Sequence, residues 1–240
     1  CSEACWRVVD ETLQIRGGRG YETAQSLRAR GEAPLPVERM MRDSRINLII
    51  EGTSEIMRLF IAREALDAHL RILSTLLDPH RSPVQKLGVA LTAAWRYALW
   101  YPQQWCSWGW WPRHQRLGSR LARHMRFVER SSHVLARTLF HSALRYQTRL
   151  AFRQRLLGRL VDIGGDLLAM TAACSKAHAM VQRQPSDESP VELADLFCRL
   201  ASRRVRQTLR ALRHNEDRRS YRVAQDVLHG RFEWLEDGIL

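Results

Sequence analysis

At 240 residues with 45% hydrophobic content, the chain is long enough for one large or two modest domains with a real core. Its five cysteines (Cys1, Cys5, Cys106, Cys174 and Cys198) are odd in number and form no CxxC, which argues against a disulfide scaffold and a zinc cage. The formal net charge of +13 is unevenly placed: residues 1 to 75 hold eleven basic and eleven acidic side chains, whereas residues 81 to 160 hold fifteen Arg or Lys and one acid, Glu129. Nearly every cation is an arginine, a bias that a GC-rich genome also produces, but base composition does not remove acids. The first residue is Cys1, with no signal peptide or basic leader in view, so a fragment is expected.

No convincing alternating strand pattern is present, and the chain reads as all-α. "CSEACWRVVDETLQI" is expected to be the end of a helix, with Cys1 and Cys5 one turn apart as buried thiols, closed by the glycines of "RGGRG". "ETAQSLRARGEAPLP" reads as a polar loop and "VERMMRDSRINLII" as a short helix running into an apolar stretch. Thr53 or Ser54 can cap a long amphipathic helix that carries Ile56, Leu59, Phe60, Leu66, Leu70, Leu73 and Leu77 on one side. Glu55 suits its positive first turn, and "DPHRSP" ends it near residue 78, the expected boundary between a first domain (1–78) and a second (79–240).

The second domain is predicted to open with a helix from about Val84 to Trp100, broken at "YPQQWCSWGWWPRH". A long helix follows from about Leu117 to Leu157, with Leu117, Leu121, Met125, Val128, Leu135, Leu139, Tyr146 and Leu150 in one stripe. "GRLVDIGGDLLAMTAACSKAHAM" continues as helix, its Gly164-Gly165 pair allowing close packing or a bend. After the loop "QRQPSDESP" come an amphipathic helix, "VELADLFCRLASRRVRQTLRALRH", and a short last one around "YRVAQDVL". No span approaches eighteen uninterrupted apolar residues, so no transmembrane helix is expected. The nine histidines are scattered without an HExxH, which reads as surface or packing positions and no metal site.

Glu51 stands at the end of the apolar run "NLII" and directly before Gly-Thr-Ser. Such an acid is either the polar edge of a helix entry or a group held against a ligand in a dry place. Taken in order, "QIRGGRGY", "PVERMMRDSRI" and "IIEGTSEIMRLFIARE" closely resemble the C-terminal helical domain of acyl-CoA dehydrogenases, over residues 1 to about 75. These FAD enzymes desaturate acyl-CoA thioesters between the α and β carbons, and in many of them the glutamate of "EGT" is the catalytic base.

The resemblance therefore assigns the base to Glu51 and a substrate contact to Gly52. It assigns FAD contacts to Gln14, Ile15, Arg16, Gly17 and Gly18, which would meet the cofactor of a neighbouring subunit, and to Thr53, Ser54 and Glu55. A carboxylate that removes a proton α to a thioester needs a dry site, and Leu48, Ile49 and Ile50 are expected to supply it. Arg16 and Arg19 depart from the family, where uncharged side chains are common, and the Tyr21–Pro36 loop is longer than usual.

The residues beyond "IARE" look like the extra helical domain of the very-long-chain branch, which carries such an extension in association with a membrane. Trp95, Trp100, Trp105, Trp108, Trp110 and Trp111 precede the arginine-rich helix; the rings suit a membrane interface and the cations attract anionic headgroups, while packing between subdomains is the plainer reading. No nucleic-acid-binding motif accompanies them. The combined expectation is part of a long-chain acyl-CoA dehydrogenase of fatty acid β-oxidation, homodimeric and served by electron-transfer flavoprotein. It would be peripheral to the inner membrane of a bacterium or to the matrix face of the mitochondrial one. The rival is a non-catalytic helical module that binds an anionic membrane or a protein partner.

Overall fold

The structure, a computed structural model, describes residues 2–106 and 114–238. Every regular element among the described residues is helical, as the sequence pattern predicts. They divide into two compact units, Cys1–Ile61 and Ala62–Leu240.

In the first unit, α1 (Ser2–Arg16) packs against α4 (Val37–Ile46), and the short α2 (Gly18–Tyr21) touches both. Arg45 places its guanidinium 5.7 Å from the Trp6 ring centroid, a cation–π contact across the α1–α4 pair. Glu3 on α1 pairs with Arg58 at 2.7 Å. Gly20 is buried because nothing larger fits: a Cβ there would lie 2.7 Å from the Leu13 carbonyl oxygen.

The expected polar loop 22–36 instead contains a helix, α3 (Ala24–Ala29). Thr23 caps it by accepting the Ser26 N–H, and Leu27 anchors it with no exposed surface. Cys5 is exposed, against the expectation of a buried thiol, while Cys1 lies outside the described residues.

Helix α5 (Ser54–Leu77) starts where the cap residues predict. Its stripe is only partly covered: Leu66 is buried, but Ile56 and Phe60 are exposed, and the side chains of Leu73 and Leu77 lie outside the description.

In the second unit, α6 (Pro83–Cys106) runs past the expected break at Trp100 and includes Pro102. A proline removes one ladder hydrogen bond. Contacts from α7 (Gly118–Tyr146) secure the last turn: His133 Nδ1 lies 2.9 Å from Gln104 Oε1, and Arg137 donates to the Gln104 carbonyl while stacking 3.9 Å from the Trp105 ring centroid.

The single long helix expected from 117 to 157 is divided. A 3-10 stretch at Gln147–Phe152 separates α7 from α8 (Gln154–Arg183), because Gln147 turns the chain at φ +46°. Neither glycine nor proline marks that break in the sequence.

Helices α7, α8 and α9 (Ser189–Ala211) form a three-helix core around Leu121, Val128, Ile163, Met170, Cys198 and Val205. The Gly164-Gly165 pair is not required by close packing: a Cβ on Gly164 would make an ordinary contact with the Leu135 side chain at 3.7 Å, and one on Gly165 would meet nothing within 4 Å. The thiols of Cys174 and Cys198 meet at 3.7 Å within this core. Helix α9 has a polar tie to each of the other two: Asp195 with His124 of α7 at 2.7 Å and Arg204 with Asp166 of α8 at 2.6 Å. A further tie, Arg159 with Asp217 at 2.6 Å, brings α10 (Asp217–Leu228) onto α8. No described helix is long and apolar enough to cross a membrane.

Candidate functional site

The chain leaves α4 at Ile46 in a series of tight turns: Ile49 and Ile50 both donate their N–H groups back to the Ile46 carbonyl, at 2.9 and 3.0 Å. Glu51 then takes φ +56° and Gly52 φ +102°. Positive φ is cheap for glycine and costly for glutamate, so the turn holds Glu51 in a conformation it would not choose by itself. Among the described residues only Glu51 and Gln147 do this without being glycine.

Thr53 follows as the cap, its hydroxyl accepting the Ile56 N–H at 3.3 Å while its carbonyl accepts the Met57 N–H at 2.9 Å. The Glu55 carboxyl is held below its ordinary value, first by its own backbone N–H and then by the Thr53 hydroxyl. A Cβ on Gly52 would come within 3.0 Å of the Met57 sulfur, so the turn is closed on that side.

The expected dry pocket is not made by these residues alone. Glu51 is exposed, and Ile49 and Ile50 are each 49% exposed. Four isoleucines of the same segment (Ile46, Ile49, Ile50 and Ile56) leave apolar surface open. Dryness at such a surface comes from whatever covers it.

The second group of nominated residues lies at the α1–α2 corner. Gln14 and Ile15 are exposed, Ile15 at 85%. Gly17 turns the chain at φ +56°, and a Cβ on Gly17 or Gly18 would meet nothing within 4 Å. The Arg16 Nε is buried without a hydrogen-bond partner beside this open backbone. The Gly17 N–H is used within the corner, on the Gln14 carbonyl at 3.1 Å, but an orphaned cationic donor beside an open glycine turn fits a phosphate-bearing cofactor. Among the described residues no group of three or more His, Cys, Asp and Glu could hold a metal ion.

Residues 1–66 match the family described as acyl-CoA dehydrogenase, C-terminal domain, and residues 119–231 match ACAD9/ACADV, C-terminal domain. A probable acyl-CoA dehydrogenase, FadE10 of Mycobacterium tuberculosis, is 51% identical over all 240 residues, which are 37% of its own length. The chain carries an acyl-CoA dehydrogenase C-terminal domain followed by an ACAD9/ACADV C-terminal domain. Glu51 to Glu55 and Gln14 to Gly18 all lie inside the acyl-CoA dehydrogenase match.

The human mitochondrial very long-chain specific acyl-CoA dehydrogenase is 29% identical over 222 residues, 88% of this chain and 30% of that protein. The chain thus spans about a third of the length of the curated acyl-CoA dehydrogenases it matches. A crystal structure of an acyl-CoA dehydrogenase complexed with FAD from Bacillus anthracis shares the fold, with TM-score 0.57 and 24% identity over 91% of this chain and 32% of that one.

Three features escaped the sequence reading. Gly20 and the positive φ of Gln147 depend on tertiary contacts and local backbone, which no residue pattern announces. The third, a hydrogen bond of 2.5 Å between His69 Nδ1 and the Tyr97 hydroxyl, joins residues 28 positions apart.

Proposed function

We propose that Glu51 is the α-proton base of an FAD-dependent acyl-CoA dehydrogenase acting on long-chain thioesters, and that this chain supplies its C-terminal helices. The observation that carries the reading is the strained turn: a glutamate at φ +56°, fixed between a helix end and a helix cap and directly following the exposed Ile49 and Ile50. Strain of this kind persists where a side chain must be held in place for a task.

A bound acyl thioester would cover Ile49 and Ile50 and expel water from around the carboxylate, which then takes the proton from the α carbon. Among the described residues the Glu51 N–H has no backbone acceptor, so it is available to the thioester oxygen, where negative charge develops. Gly52 keeps the approach free of a side chain. FAD, when bound, accepts the hydride from the β carbon. Arg16, Gly17 and Gly18, with Gln14 and Ile15, would hold its phosphate-bearing part, and Thr53, Ser54 and Glu55 would lie beside it.

In the full-length enzyme, Glu51→Gln should retain FAD and acyl-CoA binding and lose at least about 10²-fold in dehydrogenation. Bleaching of the flavin by a C16 thioester reads the step directly. Unchanged turnover would overturn the assignment and favour the non-catalytic helical module.

We further infer that residues 1–78 complete the catalytic helical domain and that 79–240 attach the enzyme peripherally to an anionic membrane. Val84, Leu87, Leu91, Trp95 and Leu99 form an exposed apolar row along α6, with Trp95 70% exposed. Trp105 is also exposed, Trp100 is half-buried among other rings, and Trp108, Trp110 and Trp111 lie outside the described residues. Co-sedimentation with anionic liposomes should weaken as salt rises. Homodimer formation and electron-transfer flavoprotein as acceptor follow from the same family reading, in a bacterial cytoplasm or the mitochondrial matrix.

A further inference from the structure

A cavity of about 240 Å³ opens among α5, α6 and α7 in the second unit, and none of the residues nominated for catalysis, substrate or FAD lines it. Leu70, Ile72, Leu76, Ala93, Phe140 and Leu144 make its walls apolar. An apolar cavity of about 150 Å³ already stays dry and accepts benzene. With roughly 30 Å³ for each water-sized group, this one has room for about eight methylenes.

One end is polar. His69 and Tyr97 line it and hydrogen-bond to each other at 2.5 Å. Burial, with the charge of Arg96 second, lowers the His69 value, and burial raises that of Tyr97, so both are neutral near pH 7. A neutral pair holds one imidazole N–H and one phenolic O–H. Their mutual bond uses one of these in either tautomer, and the other remains free to donate.

The surroundings select the sign of the ligand. Arg96 acts electrostatically on both rings and forms no ion pair among the described residues, and residues 81 to 160 hold fifteen cations against one acid. At the rim, Gln147 lines the cavity in its strained φ +46° conformation, where α7 ends.

We propose that this cavity is a second ligand site, which takes the aliphatic tail of a free fatty carboxylate of about eight to ten carbons, with its head at the His69–Tyr97 pair. The donor left by the pair meets the carboxylate, and Arg96 adds long-range attraction.

The test is calorimetric titration of the full-length enzyme with decanoate below its micellar concentration, while the flavin spectrum monitors the active site. Wild type should show one saturable site that leaves the flavin unperturbed. Ala143→Trp fills the cavity and Leu144→Glu, at a rim position 58% exposed, repels the head. Each should weaken that site at least about tenfold with flavin spectrum and helicity unchanged. Arg96→Gln should weaken decanoate about two- to fivefold and leave decanol unaffected.

Absence of such a site, or a site indifferent to both Ala143→Trp and Leu144→Glu, overturns the proposal. So does uptake of decanoate only from vesicles, which would assign the chemistry to a lipid surface. Equal binding of decanol and decanoate, untouched by Arg96→Gln, overturns the anionic head.

Discussion

The α7–α9 bundle and the first unit differ in how much apolar core each closes by itself. In the bundle Ile163, Met170, Cys174, Cys198 and Ala201 have no exposed surface, and Arg, His and Asp residues tie the helices at their edges. In the first unit Leu27 reaches that level of burial, while Ile15, Ile46, Ile49, Ile50 and Ile56 stay open. The bundle closes a core of its own, even though Leu168, Leu193 and Leu196 stay exposed on its outer faces. The first unit leaves many of its own for something else to cover, and the candidate catalytic glutamate stands among them.

The widest gap between the two should appear on truncating a buried side chain. Met170→Ala removes a fully buried residue from the bundle core and should cost about 2–5 kcal/mol in denaturant unfolding. Ile50→Ser, at a half-open position, should stay within about 0.5 kcal/mol of wild type in the chain alone. Comparable costs would mean that the first unit is as self-sufficient as the bundle, and the comparison would fail.

Next in size is a backbone effect inside the first unit. Gly20→Ala pushes a Cβ into the Leu13 carbonyl, which is not a flexible group, so the α1–α2 corner must shift. A loss of about 1–3 kcal/mol is expected, with weakened FAD retention in the full-length enzyme because Gly17 and Gly18 lie in the same corner. Retention of FAD at wild-type level would detach that corner from the cofactor.

Acid should divide the bundle from its own core. His124 donates to Asp195, and Arg159 to Asp217, each holding its carboxyl below the ordinary aspartate value. A folded value lower than the unfolded one contributes stability that is full above the unfolded value and lost as pH falls through the folded one. Unfolding free energy should therefore drop below about pH 4, and Asp195→Asn with Asp217→Asn should flatten that slope. Each tie is expected to contribute roughly 1 kcal/mol at neutral pH.

Helix type and order were legible in the sequence because apolar spacing and cap residues act locally, as at Thr53 and Ser54. Boundaries failed where tertiary contacts decide. Gln104 is held by α7 and carries α6 through Pro102, buried Leu27 turns a polar stretch into α3, and Gln147 breaks a helix that its composition would continue. The identity of the candidate base was legible from the "EGT" context, but its dryness was not. Burial of Glu51 depends on what lies over the half-exposed Ile49 and Ile50, which the local residue pattern does not announce.

The smallest effect is the most discriminating for the site. Glycine is free at φ +56° where glutamate is strained, so Glu51→Gly should leave stability unchanged or raise it by up to about 1 kcal/mol, the relief of strain offset by the greater freedom of the unfolded chain. Thr53→Ala, which removes the cap on the same turn, should lose about 1 kcal/mol, and Thr53→Ser should restore it. A turn that tolerates glycine for stability but demands glutamate for turnover keeps its strain for chemistry. If Glu51→Gly destabilises the chain as much as Thr53→Ala does, the carboxylate is holding the turn together, and the open isoleucines of its segment are scaffold instead of a waiting substrate wall.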